Sequence, residues 1–121
     1  MDGPPRDRDA PSTWESRRRF PRYRLEATLL VTELKGGQSH TVRGRSRDLS
    51  EGGIGGFLAP ELAPGQTVVV EFPLPSARQD LVLQARVFHH SGSHYGFEFV
   101  QASPVVLQDI RRACEALPIY V

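Results

Sequence analysis

From residue 25 onward, apolar and polar side chains alternate in short runs, and alternation with period 2 is the mark of half-buried strands. Leu25, Ala27, Leu29 and Val31 alternate with Glu26, Thr28 and Thr32, which predicts a strand over 25–34. The tract Lys35-Gly36-Gly37-Gln38 interrupts it with the glycines of a hairpin loop. Thr41 to Asp48 is placed to pair back as a second strand, although its polarity weakens the pattern. Ile54 to Ala59 predicts a short third strand, entered through Gly52 and Gly53. Gln66 to Phe72 is rich in β-branched residues and sets Val68, Val70 and Phe72 on one face. Leu81 to His89 turns Leu81, Leu83, Ala85 and Val87 inward, and Tyr95 to Val100 sets Tyr95, Phe97 and Phe99 opposite Glu98. Proline-bearing loops, Pro60 to Gly65 and Pro73 to Asp80, separate these strands.

The period changes in the last twenty residues. Ser103 suits an N-cap and Pro104 the first helical position. Leu107, Ile110, Cys114 and Leu117 then follow at helical spacing until Pro118 ends the run. A helix of about 13 residues is marginal alone, so its apolar stripe has to dock on the sheet, with one open end of a barrel as the natural place. Six antiparallel strands and one C-terminal α-helix make an all-β domain, a small closed or nearly closed barrel without exposed sheet edges.

Composition narrows the picture. With 121 residues, 24% charged and 39% hydrophobic, the chain suits one domain with one modest core. Residues 1–16 hold three prolines, three aspartates and little that is apolar except Trp14, and read as a disordered arm. No apolar run is long enough to span a membrane, and the N-terminus lacks the apolar stretch of a secretory signal. The single cysteine, Cys114, excludes an intramolecular disulfide framework and fits a reducing cytoplasm.

The net charge of +1 hides an uneven distribution. Of 14 arginines, seven precede residue 25, against four acidic residues there, and the surplus concentrates in Arg17 to Arg24. An arginine cluster beside a small barrel is electrostatically compatible with nucleic acid. The near-zero net charge and the few aromatics near the cluster, Phe20 and Tyr23, argue against it.

Catalytic chemistry finds little support. His90 and His94 flank Ser91-Gly92-Ser93, which is turn chemistry, and no third metal ligand is adjacent. Cys114 lies on the apolar stripe of the helix, the setting of a packed thiol rather than a nucleophile. The acidic residues show no paired spacing, and neither a P-loop nor a dinucleotide fingerprint is present. No catalytic or metal-binding residue is assigned.

Two constellations remain. Arg17-Arg18-Arg19-Phe20-Pro21-Arg22 contains Arg18 and Arg22 with three residues between them. Asp48-Leu49-Ser50-Glu51-Gly52-Gly53 has the spacing D-x-S-x-x-G. Each has a plain structural reading: a solvated basic linker for the first, and for the second a turn in which Asp48 or Ser50 bonds its own backbone and a glycine supplies positive φ. Arg43 and Arg47 have the same spacing as Arg18 and Arg22, which shows how readily an arginine-rich chain produces such a pair.

Taken together and in this order, the motifs resemble the PilZ domain, the bacterial receptor for cyclic di-GMP. The resemblance runs from about Arg17 to Leu117. It includes Pro64-Gly65-Gln66 before an apolar strand, Tyr95-Gly96-Phe97-Glu98-Phe99 in the last strand, and the C-terminal helix. It implies a PilZ domain over 17–121, with an arginine segment at 17–24, a barrel at 25–101 and a helix at 104–117. By that resemblance Arg18 and Arg22 wrap around the ligand, and Asp48 and Ser50 read a guanine edge. Gly53 lets backbone approach the base, and Gly52 assists the bend. Arg17, just before Arg18, goes in this family with an intercalated ligand dimer rather than one molecule.

The chemistry agrees with this expectation. Guanine presents N7 and O6 to a guanidinium fork and N1–H and N2–H to a carboxylate or hydroxyl, and arginine also stacks on purines and pairs with phosphate. The expected function is a cyclic di-GMP receptor, not an enzyme, in which the ligand orders the arginine segment over the barrel and changes contact with an unidentified downstream protein. The alternative is an adaptor of the same fold that works without nucleotide.

Overall fold

In the computed structural model, which describes residues 20–59, 62–75 and 77–121, the chain forms an antiparallel barrel closed by six strands, with one helix at its C-terminal end. In chain order the strands are β1 (Tyr23–Arg24), β2 (Thr28–Lys35), β3 (Gln38–Leu49), β4 (Gly53–Phe57), β5 (Thr67–Phe72), β6 (Leu81–Ser91) and β7 (His94–Phe99). Their order in the sheet is β1-β3-β2-β5-β6-β7-β4, and pairing of β3 with β4 closes the ring. The short β1 is an appendix on the C-terminal half of β3, with Tyr23 opposite Leu49 and Arg24 opposite Asp48.

The alternation read from the sequence sets the core. Leu29, Val31, Val68, Val70, Phe72, Leu83, Ala85, Val87, Tyr95 and Phe97 all point inward and are buried. The β2–β3 connection is a two-residue turn with Gly36 at φ 60° and Gly37 at φ 77°, the paired positive φ values that make a right-twisted hairpin. Gly92, at φ 60°, starts the β6–β7 turn.

Strand ends differ from the sequence reading by a residue or more and the helix ends at Glu115 rather than Leu117; the larger departures have tertiary reasons. The strand expected over 25–34 is interrupted at Leu25 to Ala27: the Leu25 amide still donates to the Arg47 carbonyl at 3.1 Å and the Ala27 carbonyl accepts from the Ser46 amide at 2.8 Å, but the Ala27 amide donates to Ser46 Oγ at 3.0 Å. The Ser46 hydroxyl in turn donates to the Leu25 carbonyl. The polar second strand is longer than expected, because residues 38–43 form a hairpin whose tip stands in solvent, with Leu34 74% exposed. Beyond it, β3 carries a bulge: Ser46 faces Gly56 and Asp48 faces Gly55, so Arg47 is the extra residue. A bulge re-aims side chains, and here it lies beside Asp48.

The helix α1 spans Pro104–Glu115. Ser103 caps it by accepting from the Val106 amide at 3.2 Å, and Pro104 opens it. Ile110, Ala113 and Cys114 are buried in the barrel's core cluster, whereas Leu107 and Leu117 are half-buried. After the helix, Pro118 to Tyr120 run antiparallel to β1. The Arg24 amide donates to the Pro118 carbonyl and the Tyr120 amide to the Arg22 carbonyl, each at 2.8 Å, and Tyr23 bridges Ile119. Among the described residues no helix is long and apolar enough to cross a membrane.

Candidate functional site

The turn between β3 and β4 is built by its own residues. The Ser50 amide donates to the Gly53 carbonyl at 2.9 Å. Ser50 Oγ accepts from the amides of Gly52 and Gly53, both at 3.2 Å, and leans on the Gly53 carbonyl at 3.4 Å. With Ser50 fully buried, its hydroxyl is engaged in closing the turn. The glycines serve a purpose other than positive φ: neither Gly52 nor Gly53 lies in the left-handed region. Gly53 is glycine for space, since a Cβ there would overlap the Phe97 carbonyl oxygen and crowd the Glu98 backbone of β7.

Asp48 stands on the outer face of the barrel, because its neighbour Leu49 points into the core opposite Ile54. The row running outward from it is Asp48, Gly55, Gly96, and the next row holds Gly53 and Glu98. Two consecutive positions beside the carboxylate thus carry no side chain. The carboxylate itself is fully covered. Arg47 donates to Asp48 Oδ2 through Nε at 2.9 Å, and its Nη2 lies 2.9 Å from the same oxygen. Arg22 Nη1 is 3.8 Å from that oxygen, with its side chain 43% exposed. The structure therefore brings together one arginine of the first motif and the aspartate of the second, 26 residues apart in sequence. Arg17 and Arg18 lie outside the described residues, as does the arm expected over 1–16.

Two participants escaped the sequence reading. Arg47 looked like half of a chance arginine pair; the bulge sets it on Asp48 while Arg43 stays exposed. Tyr120 follows the helix-ending proline and had no pattern to announce it. Its ring sits beside three guanidinium groups, with Cζ of Arg22 and Arg24 each 5.6 Å from the ring centroid and Cζ of Arg47 at 4.8 Å. Arg24 also pairs with Glu26 at 3.5 Å.

Glu51, inside the turn, accepts from Arg111 Nε at 2.9 Å and so ties the turn to α1. Burial pushes the Cys114 thiol up to about 11, and the nearby Glu51 carboxylate adds to the shift. Such a thiol stays protonated and unreactive near neutral pH. Burial also raises Glu98, against the opposing pull of Arg86 at 3.7 Å.

The histidines assemble differently. The His90 ring stacks on Tyr95 with centroids 4.2 Å apart, and its Nε2 donates to the Gly92 carbonyl at 2.7 Å. Among the described residues no group of three His, Cys, Asp or Glu side chains is placed to hold a metal ion.

Comparison with known proteins fits this geometry. The model of the PilZ domain family matches residues 16–116. The PilZ domain of YcgR from Escherichia coli, solved with c-di-GMP, superposes with a TM-score of 0.67 at 24% identity, covering 84% of this chain and 91% of that one. YcgR from the same organism in complex with c-di-GMP gives 0.65 at 25% identity, covering 83% of this chain, which spans only 45% of that protein. The Bacillus subtilis inhibitor of motility MotI/DgrA gives 0.67 at 17% identity, covering 93% of this chain and 55% of that one. Comparison with curated proteins gives no match. The barrel topology, the D-x-S-x-x-G turn on its rim and a family match over all but the two ends of the sequence place this chain in the PilZ domain family.

Proposed function

We propose that the chain is a cyclic di-GMP receptor. The observation that carries this reading is the meeting of Arg22 and Asp48 across 3.8 Å, beside outer-face positions occupied by Gly53, Gly55 and Gly96. The three glycines, buried in this structure, offer a guanine on that strip no side chain of their own. Its N1–H and N2–H edge suits the Asp48 carboxylate, and its N7 and O6 suit a guanidinium fork. Membership of the PilZ family supports the reading, as does the similarity to YcgR in complex with c-di-GMP.

The residues divide the work by how each is held. Ser50 closes the turn that fixes Asp48, with Gly52 and Gly53 allowing the bend and the close approach of β7. Arg22, joined by Arg18 and Arg17 from the preceding segment, supplies charge for the two phosphates and planar faces for the purines. Ordering such a segment costs about 1–2 kcal/mol per fixed residue. Charge-assisted hydrogen bonds at about 1.5–3 kcal/mol each offset that cost. Arg47 and Arg22 hold the carboxylate until guanine replaces part of their contact. With Arg17 adding a third guanidinium, the site takes an intercalated pair of ligand molecules. The output is the new arrangement of the arginine segment, presented to a downstream protein rather than converted into a chemical product.

Isothermal titration of the full chain tests this directly. Cyclic di-GMP should bind saturably at two molecules per chain, GTP should give no heat, and Arg18→Ala, Arg22→Ala and Asp48→Ala should each abolish binding while leaving the barrel's circular dichroism intact. A flat titration by the wild-type protein removes the receptor reading and leaves an adaptor that acts through protein contacts alone.

A further inference from the structure

The C-terminal segment after α1 lies outside the residues matched by the family model, which ends at 116. It is nonetheless built into the site. The Tyr120 amide donates to the carbonyl of Arg22 itself, and the Pro118 carbonyl accepts from Arg24, so the tail is registered on β1 residue by residue. That pairing places the half-buried Tyr120 ring within cation–π range of Arg22, Arg24 and Arg47 together.

The three arginines do not depend on the ring equally. Arg47 has two short contacts to Asp48 and Arg24 has Glu26 at 3.5 Å. Arg22 has a longer ion pair than either, 3.8 Å to Asp48, and a side chain nearly half exposed. A long guanidinium side chain held this loosely would sample many rotamers. A ring face beside it favours the few in which the fork lies toward Asp48, and a pre-ordered group loses less freedom when a ligand arrives.

We infer that Tyr120 is a positioning residue of the site: its ring, fixed by the pairing of the C-terminal segment with β1, holds Arg22 and Arg47 at Asp48 before ligand binds. This rests on the receptor reading above and adds a residue that the family's motifs do not contain. The backbone hydrogen bond of residue 120 survives any side chain except proline, so substitutions there can remove the ring without unzipping the tail.

The test compares Tyr120→Phe and Tyr120→Leu in the full chain, with and without ligand. In the free protein, the Arg22 and Arg47 Hε resonances should carry an upfield ring-current shift that Phe preserves and Leu abolishes. Shifts unchanged in Tyr120→Leu overturn the inference. With cyclic di-GMP, Phe should bind within twofold of wild type and Leu about fivefold to tenfold more weakly. Equal affinity of Leu and wild type overturns the inference while leaving the receptor reading intact. If Leu also lowers the thermal midpoint, progressively fluorinated phenylalanines at position 120 separate packing from electrostatics, since they keep the ring and empty its face. Affinity should fall with each fluorine, and a flat series sinks the idea. No binding by wild type would remove the receptor reading and with it a ligand-positioning role. The Hε shifts would then still tell whether the ring orders the arginines.

Discussion

The turn carrying Asp48, Ser50 and Gly53 and the segment carrying Arg22 face each other across 3.8 Å, yet they are held by different means. The turn closes on itself through the Ser50 hydroxyl and amide, is fully buried at Asp48 and Ser50, and abuts the β7 backbone so closely that no Cβ fits at Gly53. Arg22 lies just outside the two-residue strand β1, and its carbonyl is bonded by the tail rather than by the barrel. One side of the site is a property of the fold; the other is a side chain with freedom left to lose. A receptor needs both: a fixed surface to discriminate its ligand, and a part that changes when the ligand is there. The comparison therefore predicts that substitutions at Ser50 and Gly53, which close the turn, damage the barrel, whereas substitutions in the arginine segment damage binding alone.

Gly53→Ala is the severest test of that division. The atom its Cβ would meet is a backbone carbonyl in the neighbouring strand, which cannot rotate away. Overpacking of this kind costs about 3 kcal/mol, and urea unfolding should show it as a large drop in midpoint. Gly36→Ala is the control. That glycine serves a hairpin turn at φ 60° in open space, so the strain is conformational and about 1 kcal/mol. If the two variants unfold alike, steric closure at Gly53 does not define the turn.

Ser50→Ala should follow at about 2 kcal/mol, because it leaves the amides of Gly52 and Gly53 without their acceptor in a buried turn. A Ser50→Ala protein as stable as wild type that nonetheless fails to bind cyclic di-GMP would reverse the assignment. It would make the hydroxyl a ligand contact rather than a brace.

The uneven legibility of the sequence follows the same divide. Alternation at period 2 placed Val68, Val70 and Phe72, and Leu83, Ala85 and Val87, because burial on one face of a strand is a local rule repeated along the chain. The helix was legible for the same reason, through Ser103, Pro104 and the spacing of Ile110 and Cys114. Asp48 and Arg22 were legible only as members of a spaced motif. Nothing local, however, marks a bulge at Arg47, which exists because β3 must pair with β2 and β1 on one side and with β4 on the other. Nor does anything local announce Tyr120, whose place depends on a tail returning to β1 after a twelve-residue helix. The break at Leu25 to Ala27 is of the same kind, since the Ala27 amide turns from backbone to the side chain of Ser46, nineteen residues away.

Arg22→Ala marks the opposite pole from Gly53→Ala. Its ion pair is long and its side chain 43% exposed, and pairs of that kind contribute about 0.5 kcal/mol or less. Urea midpoints should therefore shift barely, while cyclic di-GMP binding disappears. A large loss of stability would show that Arg22 braces the barrel as the turn does, and the contrast between the two sides would fail.

The smallest effect should come from Glu98, which pairs in register with Gly53 and marks the outer edge of the strip beside Asp48. Burial raises its carboxyl above the ordinary 4.5, more than Arg86 lowers it. A carboxyl raised in the folded state gives stability that is complete below 4.5, where both states hold the proton. As pH climbs, the unfolded chain releases that proton first, and the contribution is lost by the time pH has passed the folded value. Glu98→Gln, which cannot ionise, should thus equal wild type in acid and become slightly the more stable of the two as pH rises past 4.5 toward neutrality. Chemical unfolding of both proteins across that range measures the gap. If instead the substitution costs stability at neutral pH, the Arg86 pair outweighs burial, and the outer edge of the strip is held by charge rather than merely tolerating it.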